Sequence, residues 1–165
     1  MTSSENDKDT LYKDTLDEDT ALPDSILFAC GQNCIRSPMA EALMRHFYGS
    51  QVHVASCGVY AGDGDDFVIA VLDEMGIDME GFVPQSFDDL EDTNFDLMVS
   101  LSPEAHHQAL EMTRTMAIDV EYWPTIDPSA SMGSREQILE SYRSVRDATI
   151  ERLKQRFGSL TARGV

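Results

Sequence analysis

The stretch SILFACGQNCIRSPMAEALMRHF, residues 25–47, decides how the chain is read. A short apolar run from Ser25 stops at Cys30. After Ser37-Pro38, apolar residues recur at Met39, Leu43, Met44 and Phe47, the spacing of a helix that stops at Gly49. The pattern is strand, loop, helix. A loop of that kind gathers backbone N–H groups around one point, and the helix N-terminus adds partial positive charge there. Arg36 contributes a planar fork of donors suited to two phosphate oxygens at once. Cys30 falls at the floor of this cradle. A free thiol titrates near 8.5, and a helix N-terminus beside a cation lowers that to roughly 3.5–7.5. The pattern therefore predicts a Cys30 thiolate facing a tetrahedral oxyanion. Ser37 can donate a hydrogen bond to that thiolate, and Pro38 fits the first helical turn. A bare C-x5-R string arises by chance and would leave a buried cysteine and a surface arginine. The ordered context of strand, loop, Arg-Ser-Pro and helix is what argues for a site.

Outward from this stretch, strands and helices alternate. Residues 52–56 read as a strand, 65–76 as a helix closed by Gly76, SFDDL as a single turn, and 95–101 as a strand. Residues 102–114 read as a helix with Ser102 as N-cap and Pro103 in first position, 117–123 as a strand, and Arg135 to Phe157 as a last helix. The alternation predicts an α/β fold: a three-layer sandwich with a central four-stranded parallel sheet and helices on both faces. Ligands of such sheets bind beyond the carboxyl ends of the strands, which is where Cys30 lies.

The chain has 165 residues, the size of one domain, with 30 Asp and Glu against 12 Lys and Arg, a net charge of −18. That charge repels nucleic acid and anionic lipid, so neither is expected as a partner. No run of 18 apolar residues offers a membrane span. Residues 1–24 carry eight acids and two lysines and read as an acidic disordered tail with no signal-peptide pattern. The organisation expected is this tail, a catalytic domain over 25–157, and a short tail over 158–165, in the cytoplasm. The three cysteines, Cys30, Cys34 and Cys57, are an odd count and do not suggest a secreted disulfide scaffold.

The segment ILFACGQNCIRSPMAEAL resembles the active-site segment of the low-molecular-weight protein-tyrosine-phosphatase family, which also includes thiol-dependent arsenate reductases. VASCG, MGID, NFDLMVSLS and DPSASMGSREQILESYRSVRDATIERL follow in family order. The resemblance implies a double displacement. Cys30 is the nucleophile, and Arg36 and the loop Gly31, Gln32, Asn33, Cys34, Ile35, Arg36 and Ser37 bind the phosphoryl group. Asp127 is the general acid and base. Asn33 matches an asparagine that holds the loop in a left-handed turn, and Ser56 a serine that buttresses it. Read without the resemblance, Asp127-Pro128 is equally a common turn. Neither metal nor organic cofactor is implied, and the partners are a phosphorylated protein or small phosphoester and, in the loop, phosphate or arsenate.

The chain departs from the family pattern at Gln32, where the family usually has glycine, and at Ile35, where many members carry a second cysteine. Asp127-Pro128 is followed by Ser129-Ala130-Ser131 in place of aromatic residues, leaving Tyr60, Tyr122 and Trp123 as candidate walls, core or rim. Cys57 reads as a buried filler or a neighbour of the loop. His106-His107 are adjacent and make a poor metal pair. Asp63, Asp65 and Asp66 read as a solvated loop that caps the next helix. Three activities follow as expectations. The first is phosphomonoester hydrolysis, of tyrosine phosphate or an aryl phosphate. The second is arsenate reduction with an external thiol such as glutathione, since no cysteine follows Cys57. The third is oxyanion sensing with little turnover.

Overall fold

The computed structural model describes residues 21–158. The tail read over residues 1–24 lies outside the described residues except for 21–24, of which Leu22 packs against the core, and the tail read over 158–165 lies outside them except for Gly158. Four strands, β1 (Ser25–Cys30), β2 (His53–Gly58), β3 (Leu97–Ser100) and β4 (Asp119–Tyr122), alternate with four helices. These are α1 (Arg36–Tyr48), α2 (Asp66–Asp73), α3 (Pro103–Met112) and α4 (Arg135–Phe157). Single 3-10 turns sit at Phe87–Asp89, within the SFDDL segment, and at Pro128–Ala130.

The sheet is parallel throughout, in the order β2-β1-β3-β4. Residues 26–30 of β1 are all buried, as a strand covered on both faces must be. Side-chain alternation divides them between two cores. Ile26, Phe28 and Cys30 join α1, α2 and α4, while Leu27 and Ala29 join Ala105 and Ala109 of α3. These are the two outer layers of the expected sandwich. The chain runs from β1 to β2 on one side and then crosses to β3 on the other, so the direction reverses at β1. The crevice of an open parallel sheet forms at that reversal, beyond Cys30.

Element ends shift by a few residues from their sequence expectation. β2 continues past residue 56 to Gly58 because β1 offers a full ladder, Cys30 against Gly58, whatever the side chains. The helix expected over 65–76 ends at Asp73, after which tight turns to Gly76, with φ of 74°, take over. Ser102 caps α3 through Ala105 N at 3.3 Å, with Pro103 in the first turn. Among the described residues no helix is long and apolar enough to cross a membrane.

Candidate active site

The loop from Cys30 to Arg36 is shaped from outside by the segment that follows β2. Val59 N donates to Cys30 O at 3.1 Å, Tyr60 N to Gly31 O at 2.9 Å, and Gly62 N to Gln32 O at 2.7 Å. In a trans peptide the N–H points opposite to the C=O. The N–H groups of Gly31, Gln32 and Asn33 therefore turn away from that segment, and Gly31 and Gln32 line the cavity on the loop's other side. Gly58 is what lets the two layers meet, since a Cβ there would come within 2.6 Å of Asn33 N and 2.5 Å of Tyr60 O. Helix α1 then begins with no side-chain cap and no acid in its first turn. Its leading N–H groups are left for a ligand.

Inside the loop, Asn33 takes a φ of 53°, left-handed backbone that asparagine tolerates. Asn33 is fully buried, and its amide is used at both ends. Nδ2 donates to Ser37 Oγ at 2.9 Å and to Ser56 Oγ at 3.0 Å, while Oδ1 accepts from Gln85 N at 2.9 Å. Ser56 Oγ in turn donates to Glu41 Oε1 at 2.6 Å, and Gln85 Nε2 donates to Ser56 O at 2.9 Å. The protons of this network run one way. Ser56 gives its proton to Glu41 and accepts from Asn33. Ser37 Oγ likewise accepts from Asn33, so its own proton is free for Cys30 Sγ at 2.9 Å or Cys57 O at 3.2 Å. Cys30 is 2% exposed, with its sulfur at the floor of the cavity.

Arg36 Nη1 donates to Thr125 O at 3.2 Å, which ties the guanidinium to the chain two residues before Asp127. Asp127 caps the 3-10 turn by accepting from Ser129 N at 2.9 Å. Partial burial pushes its carboxyl upward, but hydrogen bonds from Ser129 and the nearby Arg36 outweigh that and hold it below the usual carboxylate range. Burial, and then the neighbouring Cys30, Asp65 and Asp127, push the Cys34 thiol up to about 11 against a smaller opposing pull from Arg36. Cys34 is therefore a thiol at neutral pH. Cys57 is fully buried with the other core, behind the sheet from Cys30, and burial raises its thiol further. All three cysteines are free.

These residues surround a cavity of about 380 Å³ lined by Cys30, Gly31, Gln32, Cys34, Ile35 and Arg36 from the loop and by Asp63, Asp65, Glu104, Asp127 and Ser129 around it. Two larger hollows of about 620 and 610 Å³ share at most Asp127 with it. Volume does not pick out this site; the convergence of thiol, guanidinium, amides and carboxylate does. Trp123 is core, Tyr60 is exposed, and Tyr122 stacks on His106, so none of the three candidate aromatics lines the cavity. Asp65 caps α2 through Phe67 N and Val68 N, as the acidic loop suggested, and also accepts from the Tyr142 hydroxyl at 3.0 Å. No cluster of metal-ligating side chains occurs among the described residues. Sequence reading missed Glu41, Gly58, Gln85, Glu104 and Thr125. Each acts through contacts distant in sequence, and only the break from alternation at Ser56-Cys57-Gly58 gave a local sign.

A family model described as low molecular weight phosphotyrosine protein phosphatase matches residues 25–163. The arsenate reductase of Bacillus subtilis (strain 168) is 30% identical over 130 residues, covering 79% of this chain and 92% of that protein. Over a shorter span of 60 residues, 34% of this chain and 40% of the relative, the protein-arginine-phosphatase of Geobacillus stearothermophilus is 42% identical. A solved arsenate reductase in the phosphate binding state has a TM-score of 0.61 at 27% identity, covering 79% of this chain and 93% of that one.

Proposed function

We infer the activity from one premise: the chain belongs to the low molecular weight phosphotyrosine protein phosphatase family. The chemistry of that family is cysteine-dependent, and arsenate reductases are among the relatives of this chain. The activity proposed is hydrolysis of a phosphomonoester, on a phosphorylated protein or a small aryl phosphate, through a phosphocysteine. The observation that carries it is the convergence of Cys30, Arg36 and Asp127 on one cavity at the uncapped start of α1, with Ser37 Oγ 2.9 Å from the Cys30 sulfur.

In the first step the Cys30 thiolate attacks phosphorus and the bond to the leaving oxygen breaks. Asp127, protonated, gives its proton to that oxygen. Loop amides and the Arg36 fork take up the charge of the equatorial oxygens. In the second step Asp127, now a carboxylate, removes a proton from water as the water attacks phosphorus. The P–S bond breaks, the thiolate leaves, and the Ser37 hydroxyl stabilises it. Asn33 and Ser56 are positioning residues, since they fix the loop and the direction of the Ser37 proton.

The test is rapid quenching of an aryl phosphate reaction followed by mass spectrometry of the Cys30 peptide. A peptide heavier by one phosphoryl group, absent in Cys30→Ser, is the expected result. Turnover that survives Cys30→Ser would end the mechanism.

The arsenate reductase relatives support a second reading. Here the Cys30 thiolate attacks arsenate and water leaves. Two molecules of an external thiol such as glutathione then reduce the adduct to arsenite and leave as a disulfide. Arsenate-dependent oxidation of glutathione that requires Cys30 distinguishes it. Phosphate binding with no turnover of phosphoester or arsenate would favour an oxyanion sensor over both.

A further inference from the structure

Gly31 is buried beside the nucleophile, and its φ lies outside the region that demands glycine. What a side chain there would meet is a carboxylate. A Cβ at Gly31 would lie 2.6 Å from Glu104 Oε1 and 3.6 Å from its Cδ. The absent side chain leaves room on the cavity wall, and Glu104 from the first turn of α3 stands in it.

The four carboxylates lining the cavity are not equivalent. Asp65 is committed to two amides of α2 and to the Tyr142 hydroxyl, and Asp127 to Ser129. Glu104 and Asp63 make no hydrogen bond or ion pair with any described residue. Arg36 is the only cation among the lining residues, and the proposed mechanism commits it to the phosphoryl group. An acid in the first turn of a helix is favourable to the helix itself. That explains an acid at 104, but it does not explain why position 31 is left without a side chain.

We propose that Glu104, admitted to the wall by Gly31, is a specificity-determining residue that selects phosphorylated peptides carrying Lys or Arg next to the phosphorylated side chain. The loop takes the phosphoryl dianion and the wall takes the neighbouring ammonium or guanidinium. An acidic neighbour is repelled. The proposal rests on the hydrolase reading for its substrate class, but not for its test.

The test measures dissociation constants of three matched phosphotyrosyl peptides, flanked by lysine, alanine or glutamate, on Cys30→Ser protein, which binds without turning over. Lysine flanks are expected to bind tightest and glutamate flanks weakest. Adding Glu104→Gln weakens the lysine peptide by about 3- to 5-fold at low ionic strength, the scale of one exposed charge pair. It tightens the glutamate peptide at the same time. Gly31→Ala, by pushing the flexible carboxylate off the wall, shifts the order in the same direction. At 1 M salt, with a Debye length of about 3 Å, the differences fade.

Opposite shifts for the two peptides separate selection from mere structural support, which moves all three together. An unchanged order in Glu104→Gln, a uniform shift, or no peptide binding overturns the proposal. Absence of turnover by the wild type on any phosphoester overturns the hydrolase reading instead, and leaves the binding order to decide the role of Glu104.

Discussion

Helices α1 and α4 begin in opposite ways. At α4, Ser134 Oγ accepts from Gln137 N at 3.2 Å while Gln137 Oε1 accepts from Ser134 N at 2.8 Å, a closed capping box. At α1 the N-cap position is Ile35, which packs into the core and caps nothing. Asp65 and Ser102 cap α2 and α3 as well. The starts of α2, α3 and α4 are closed by the chain's own side chains, even where Asp65 and Glu104 line the same cavity as Cys30. At the start that Cys30 leads into along the chain, the donors stay open and polar side chains brace the loop behind them.

The sharpest way to break that contrast is to remove the sulfur. Cys30→Ser should lower turnover of an aryl phosphate by about 10³-fold or more, while phosphate still raises the melting temperature, because the open donors remain. Asp127→Asn comes next, with a loss of about 10²- to 10⁴-fold for poor leaving groups and less for good ones, read as kcat/KM across a leaving-group series. The pH profile gives the sign. Asp127 must be protonated to act as acid, and its pKa is lowered in the free protein, so kcat/KM falls as pH rises through that lowered value. The falling limb should disappear in Asp127→Asn. It should move to higher pH in Ser129→Ala, which keeps the backbone N–H on the carboxylate but loses the hydroxyl that also favours its charged form.

Asn33→Ala tests the scaffold behind the open helix start. It strands the part-buried Gln85 N–H and places alanine at positive φ, so chemical denaturation should show about 2–4 kcal/mol of lost stability together with reduced activity. The smallest effect belongs to the closed start. Ser134→Ala should cost about 1 kcal/mol of stability and leave kcat/KM unchanged. Loss of activity there would mean that the two starts do not divide folding from binding in this way.

Most of the architecture was legible in the sequence because periodicity and punctuation are local. Period-3.6 spacing, Ser102-Pro103 and Gly76 marked helices that are present, and the alternation of elements implied the parallel sheet. The loop was legible for the same reason, since Cys30, Asn33, Arg36 and Ser37 lie within eight residues. What was hidden is what closes through space. Glu41 looks like any acid on a helix, yet it anchors the proton direction of Ser56. Gln85, 52 residues beyond Asn33, meets it through a backbone amide, a group every residue but proline carries. Tyr60, Tyr122 and Trp123 were undecidable because aromatic residues serve cores and walls alike.

The three hydrogen bonds that stitch residues 59–62 to the back of the loop carry a thermodynamic consequence. They are made on folding, so the entropy of ordering the cradle is already lost before any oxyanion arrives. Binding then has little left to organise, and its free energy is retained as affinity. Under the proposed hydrolysis, product phosphate meets the same preorganised surface as substrate. It should therefore act as a competitive inhibitor, with a small heat-capacity change on binding because little apolar surface is newly buried.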